Sequence, residues 1–429
     1  MARTSDQVVA WQNKRLRRLL AHAYENVEYY RRLFDRSGIK PGDIRSVADL
    51  SAIPVTSRED IRDSAVEDVV ARCVDPRRLL TWNTSGSSGM PLDIRRTWWE
   101  ERTLNVRRFR AYREMGLRAR DRIASVCRPQ PTGANDHQWL HRTLQSLGVY
   151  RRVPVSCFDA CGEIVRKLAD AKPDVVFGSP GVLSLVARNI DPKSRLQVQP
   201  RFIGAGGEVL TPSMREQIGQ GFGARVFDTY ASYEFSLMAW ECPATGRMHV
   251  CDDSVIVEVI KDGRPAAPGE RGEVVATALH SFAMPFMRYR LGDIVTKGEV
   301  GCPCGAPYST IREIQGRIID HFVLPGGRVV NPYAVTGPLK RTAPWIKQFQ
   351  LTQESEDRFI FRIVAATRPS GQDLASLSAC AKTIVGPDVR FETRVVPDIP
   401  LEPSGKFRAW RSFVSNPRGD LERKSSAFD

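Results

Sequence analysis

At 429 residues, with 42% hydrophobic and 26% charged side chains, the chain has the composition of a soluble globular protein and is long enough for one large core plus a smaller one. No uninterrupted apolar run approaches the roughly 18 residues that a membrane helix needs, and the polar start Met1-Ala2-Arg3-Thr4-Ser5-Asp6 lacks the apolar stretch of a signal peptide, so a cytoplasmic location is expected. Lys plus Arg outnumber Asp plus Glu by 63 to 49, giving +14; this favours anionic partners, but the basic residues are scattered and no helix-turn-helix, RNA-recognition or zinc-finger spacing is present, which leaves a small polyanion or a generally Arg-rich surface rather than nucleic acid.

In chain order, residues 7–36 read as helix, with Leu16, Leu19, Leu20, Ala23 and Tyr24 near 3.6-residue spacing. Ser57 caps a second helix, with Asp60 three residues on. Between two strand-like stretches lies Thr81-Trp82-Asn83-Thr84-Ser85-Gly86-Ser87-Ser88-Gly89-Met90-Pro91. Its small residues let backbone amides curve around an anion, and its hydroxyls add donors. It is not a Walker A loop, because no Gly-Lys-Ser/Thr follows and no helix opens there; alone it reads equally well as a flexible Ser/Gly turn.

An Arg-rich helix is expected over about 98–115. His137 and His141 are four apart, but no acidic third ligand is nearby, so they read as the polar face of a helix. Asp174 to Gly178 and Arg201 to Gly204 are short apolar runs ending in glycine, followed by helical stretches at 181–188 and about 213–220. Strands alternating with helices imply an α/β layer. After residue 250 the texture becomes β: Val255 to Ile260 and Gly272 to Thr277 flank the Gly/Pro-rich turn Asp262 to Gly269. From about residue 320 the order is strand 348–351, strand 359–364, helix 373–384, strand 389–396, a small α+β unit, and the charged tail from about Asn416 is expected to be loose.

Nine cysteines in a long chain of this kind are not a disulfide framework. Cys242, His249, Cys302 and Cys304 stand apart: Cys-x6-His and Cys-x-Cys in turn-rich surroundings offer three thiolates and an imidazole, the donor set of tetrahedral Zn²⁺. A structural staple beside the β region is the expected role, with free thiols as the alternative and Cys251 as a substitute ligand.

The motifs taken together resemble the acyl-adenylate-forming superfamily of acyl-CoA synthetases, NRPS adenylation domains and luciferases, and within it the phenylacetate-CoA ligase branch. The N-terminal segments Ala23-Tyr24-Glu25-Asn26-Val27-Glu28-Tyr29-Tyr30-Arg31 and Ile53-Pro54-Val55-Thr56 are similar to that branch, and the resemblance covers almost the whole chain. It implies an α/β fold: a large N-terminal adenylation domain, 1–318, with layered α/β sheets and a β subdomain, and a small mobile α+β C-terminal domain, 319–429.

By the same resemblance, Thr84, Ser85, Gly86, Ser87, Ser88 and Gly89 are the phosphate loop, and Gly206-Gly207-Glu208 lies against the adenine. In Tyr230-Ala231-Ser232-Tyr233-Glu234, Tyr230 would stack on adenine, Ala231 stands for the common glycine, Ser232 would bond phosphate and Glu234 would hold Mg²⁺. In Tyr289-Arg290-Leu291-Gly292-Asp293, Asp293 would take the ribose hydroxyls. Gly316-Arg317 opens the hinge motif, with Arg317 among the nucleotide-binding positions, and Pro403-Ser404-Gly405-Lys406 carries the catalytic lysine. Some members of the branch have a cysteine/histidine cluster comparable to that of Cys242.

The implied reaction is ATP-dependent adenylation of a small, aromatic carboxylic acid with release of pyrophosphate, then transfer to CoA. Met90, where many relatives carry lysine, and Ile319, where the hinge residue is usually acidic or lysine, leave the acceptor open: a carrier-protein thiol, an amine, or nitrite as the activated anion in a diazotase. A catalytically silent nucleotide-binding protein would have lost Glu234, Asp293 or Lys406, and none is lost.

Overall fold

The structure is a computed structural model, described here for residues 4–83, 92–128, 148–190, 197–299, 301–317, 322–330, 342–400 and 407–414, together with Thr143, Ser146, Val335, Thr336, Pro338 and Leu339. The chain divides into two compact units, Met1–Gln315 and Gly316–Asp429. Among the described residues no helix is long and apolar enough to cross a membrane.

In the first unit, Thr4 caps the helix Ser5–Asn26 by accepting from the Gln7 amide. The single helix expected over 7–36 is two: the second is Glu28–Arg36, and Val27 between them is extended, at φ −123° and ψ 110°. Val27 is fully buried. The bend lets Leu16, Leu19, Leu20 and Ala23 of one helix share a core with Tyr30 and Phe34 of the next, and with Leu279 and Met287. Tertiary packing here overrides a continuous helical pattern.

The strands of this unit are β1 (Leu80–Asn83), β2 (Asp93–Arg96), β3 (Arg122–Cys127), β4 (Arg151–Ser156), β5 (Val175–Gly178), β6 (Phe202–Gly206), β7 (Arg225–Ser232), β8 (Ser236–Glu241), β9 (Met248–Val250), β10 (Val255–Lys261), β11 (Arg264–Pro265), β12 (Arg271–Ala278), β13 (Tyr289–Lys297) and β14 (Thr310–Arg317). β1 and β2 form an antiparallel pair on either side of the Ser/Gly loop, with Leu80 opposite Arg96 and Asn83 opposite Asp93. The other twelve make one sheet in the order β11-β10-β12-β13-β14-β9-β8-β7-β6-β5-β3-β4. From β4 to β7 the pairing is parallel, with the helices Cys161–Ala171, Pro180–Arg188 and Pro212–Phe222 as crossovers. β7–β8, β8–β9 and β9–β14 are antiparallel. The β region after residue 250 therefore continues the α/β layer: β10 pairs antiparallel with β12, Val255 opposite Ala278.

The second unit has a hairpin of β15 (Phe322–Leu324) and β16 (Arg328–Val330) and a four-stranded sheet of β17 (Ile346–Ser355), β18 (Arg358–Ala365), β19 (Arg390–Val395) and β20 (Trp410–Ser412), ordered β19-β18-β17-β20. The helix Gly371–Val385 starts at a Ser370/Asp373 capping box. The fully buried Gln353 ties three strands: its Oε1 accepts from the Val323 amide at 3.1 Å and from Ser412 Oγ at 2.8 Å. β15, β16 and β20 have three residues each, too few to carry a readable strand pattern in the sequence.

Candidate active site

The parallel half of the sheet ends its strands on one side, where such sheets bind ligands. β6 terminates in Gly206-Gly207-Glu208. A Cβ on Gly206 would lie 2.1 Å from Thr229 Oγ1 and 2.8 Å from the Thr229 carbonyl oxygen, so only glycine lets β6 and β7 approach here. Gly207 sits at φ +85°. The Glu208 carboxylate accepts the Gly181 amide at 3.0 Å, at the first turn of the helix Pro180–Arg188, where an anion is favoured. The side chain thus fastens the end of β6 to the neighbouring helix.

β7 runs through Tyr230, Ala231 and Ser232 into a tight turn, Tyr233-Glu234-Phe235, and returns as β8. Ser232 pairs with Ser236, which takes φ +63°. Ser232 Oγ accepts the Phe235 amide at 3.2 Å, which leaves its hydroxyl proton to donate elsewhere. Phe235 is buried against Phe286 and Tyr289, with ring centroids 6.0 and 6.1 Å away. The turn is therefore anchored in the core, and it carries Glu234, which is itself buried.

β13 supplies the facing groups. Its first residue, Tyr289, is paired with Thr56: the Thr56 amide donates to the Arg288 carbonyl and the Arg290 amide to the Thr56 carbonyl, each at 2.9 Å. The N-terminal Ile53–Thr56 segment thus steadies the start of β13. The register against β12 slips between Glu273 and Val275, with Gly292 at φ +77°, a bulge that re-aims the following side chain. That side chain is Asp293, 8% exposed.

Two tyrosine–carboxylate bonds then cross between the strands. Tyr230 Oη donates to Asp293 Oδ2 at 2.7 Å, and Tyr289 Oη donates to Glu234 Oε1 at 3.3 Å. Each side contributes one tyrosine and one carboxylate. Burial first, and the Glu234 charge second, push the Tyr289 phenol well above its ordinary range, so it stays a donor.

One further residue at this site, Arg96, and one earlier on β7, Asp228, belong to no motif of the sequence. Arg96, at the end of β2, is 4% exposed; its guanidinium donates to the Tyr233 carbonyl and, at 3.2 Å, to Glu101. Burial lowers its pKa, while Glu101, Glu100 and Glu234 act in the opposite direction. In the sequence it is one of many arginines. Asp228, two residues before Tyr230, has its carboxyl pushed up to about 7 by burial, with Arg215 opposing and Glu241 adding to the rise. The loop Thr84–Gly89 with Met90, the pair His137 and His141, Ile319, Lys406, and the side chain of Arg317 lie outside the described residues.

Just after β8, on β9 and in the stretch before β14, the ligand atoms of Cys242, His249, Cys302 and Cys304 all lie within 4.8 Å of one another. Cys242 and Cys302 sulfurs are 4.0 Å apart, and Cys304 Sγ is 3.4 Å from His249 Nε2. Burial holds the His249 pKa down to about 4, which keeps the imidazole neutral. Cys251 does not join this group; its fully buried thiol is pushed up by burial.

Residues 322–412 match the family described as CapK C-terminal domain. The chain is 28% identical over 348 residues to the phenylacetate-coenzyme A ligase of Thermus thermophilus, covering 76% of this chain and 74% of that one. It is 21% identical over 408 residues to protein CapK of Staphylococcus aureus, covering 92% and 87%. Among solved structures it resembles 2-hydroxyisobutyryl-CoA ligase in the postadenylation state, with TM-score 0.76 and 20% identity over 99% of this chain and 92% of that one.

Proposed function

The chain belongs to the acyl-adenylate-forming superfamily, in its phenylacetate-CoA ligase-like branch, and from that membership we propose that it activates a small aromatic carboxylic acid with ATP and passes the acyl group to CoA. It is an enzyme of the AMP-forming ligase type. In the first step a carboxylate oxygen attacks the α-phosphorus of ATP, the bond to the β-phosphate oxygen breaks, and pyrophosphate leaves. In the second, the CoA thiolate attacks the acyl carbon and AMP leaves.

The observation that carries this reading is the crossed pair of tyrosine–carboxylate bonds. Asp293, oriented by Tyr230, suits the two hydroxyls of a ribose. Glu234 takes one hydrogen bond among the described residues, from Tyr289 at 3.3 Å. A buried carboxylate so sparsely bonded fits a hard divalent cation. Glu234 would hold Mg²⁺, which offsets phosphate charge when bound. Gly206 and Gly207 keep side chains away from the end of β6, where the base would lie. The phosphate loop Thr84–Gly89, the nucleotide contact of Arg317 and the charge-neutralising role of Lys406 rest on their motifs.

Zn²⁺ is the second metal of this proposal. Three thiols and a neutral imidazole, with separations of 4.0 and 3.4 Å between facing ligand atoms, fit a tetrahedral site with Zn–S bonds of about 2.3 Å. Its part is structural: it would tie the end of β8 to the loop before β14.

The test is pyrophosphate release over a panel of aryl and alkyl carboxylic acids, with and without CoA, and with nitrite as an additional anion. Release that depends on one acid, and an acyl-CoA product by mass, is the expected result. Release from no acid refutes the acyl activation. Release without a CoA product moves the reaction to another acceptor, a carrier-protein thiol or an amine, and release with nitrite identifies a diazotase.

A further inference from the structure

Glu234 sits in a reversing turn between two strands, a poor place for a carboxylate that must hold a cation in fixed geometry. The turn has three anchors. Two are local: Ser232 Oγ on the Phe235 amide, and the Phe235 ring in the core. The third comes from far along the chain. Arg96 is buried to 4% exposure, directs its guanidinium at the Tyr233 carbonyl, and holds Glu101 with its other terminal nitrogen. Glu101 is itself bonded by Asn105 at 3.1 Å. The peptide leaving Tyr233 is the one that enters Glu234, so fixing that carbonyl fixes the plane from which the Glu234 side chain departs. β2, which carries Arg96, follows the Ser/Gly loop in the chain and pairs with β1, which precedes it.

We propose that Arg96 is a positioning residue for the cation site, a clamp that locks the Tyr233–Glu234 peptide to the strand leaving the phosphate loop. It rests on the reading of Glu234 as the cation ligand. A guanidinium is suited to this task because its rigid fork serves two acceptors at once, the Tyr233 carbonyl and the Glu101 carboxylate; a lysine ammonium lacks that planar geometry. Partners that orient a metal ligand from behind are worth about 10–100-fold in metal affinity.

Geometry and charge make opposite demands here, and that gives the experiment its sign. As a positive charge beside Glu234, Arg96 repels a cation, so neutralising it would strengthen cation binding if charge were its whole effect. As a clamp, its loss weakens cation binding. ATP is titrated calorimetrically into the full-length protein, without acid substrate, once in EDTA and once in excess Mg²⁺; the quantity read is the gain in ATP affinity that Mg²⁺ confers.

Arg96→Met is expected to lower that gain by about tenfold or more and to leave the affinity in EDTA unchanged. Arg96→Lys, which keeps the charge but not the fork, should recover only part of it, and it provides the same measurement if the Met variant fails to fold. A gain that is unchanged or larger in both variants overturns the clamp. So does an equal loss with and without Mg²⁺, which marks a merely structural residue. Glu234→Gln separates the two readings: if it keeps the full Mg²⁺ gain, the assignment of Glu234 fails whatever the Arg96 variants do.

Discussion

Tyr230 and Tyr289 look unremarkable as residues, yet each holds a buried carboxylate from another part of the chain, Asp293 at 63 residues' distance and Glu234 at 55. The motifs name all four positions, and the pairing between them is invisible in the sequence. Arg96 has no motif at all, because an arginine after a loop reads as surface charge. Asp228 makes a residue-scale prediction. Its carboxyl is pushed from 3.8 up to about 7, chiefly by burial. Below about pH 4 both folded and unfolded chains hold this proton. Between about pH 4 and 7 only the unfolded chain releases it, so this group makes stability fall as pH rises through that window and level off above it. Asp228→Asn should flatten that part of the curve, measured by urea denaturation at a series of pH values; an unchanged slope removes Asp228 as its source.

Among the elements, the longer helices and the strands that end in glycine or flank a Gly/Pro turn are legible from periodicity, whereas β3, β4, β7, β8, β9, β13 and β14 and the helix Cys161–Ala171 are not. The Ser57 cap marks a helix start, the helix expected from 373 begins two residues earlier, at Gly371, behind the Ser370 cap, and the 255–260 and 272–277 runs fall inside β10 and β12. The exception at Val27 has a packing cause: the bend puts two helices into one core. The cysteine cluster belongs to this scale, since its ligands come from the end of β8, from β9 and from the loop preceding β14. Protein purified without added zinc is expected to carry about one equivalent by elemental analysis, and less than a tenth of an equivalent sinks the metal. Cys302→Ser should lower the melting temperature by several degrees and lose the metal, because a structural zinc contributes folding free energy directly.

For the whole molecule, the described candidate residues Glu234 and Asp293 belong to Met1–Gln315, and Lys406 belongs to Gly316–Asp429. The chemistry assigned to Lys406 is neutralisation of charge that develops only as pyrophosphate departs. Lys406→Ala should therefore keep ATP binding by calorimetry while acid-dependent pyrophosphate release falls by about 10²–10³ or more, the scale of losing one preorganised donor. Unchanged release would remove Lys406 from the mechanism.

By itself the sequence determined the fold class, the alternation of strands and helices, the glycine-bearing motifs and the candidate chemical groups. These are local properties: hydrophobic period, turn chemistry and residue type act within a few positions. Only the tertiary structure decided that the α/β layer and the later β strands share one twelve-stranded sheet, that Thr56 pairs with Tyr289, that two tyrosines bond the two carboxylates, and that Arg96 bonds the Tyr233 carbonyl. Those contacts join residues far apart in the chain, and their partners become neighbours only when the core closes, because burial is what selects which polar groups must find one another.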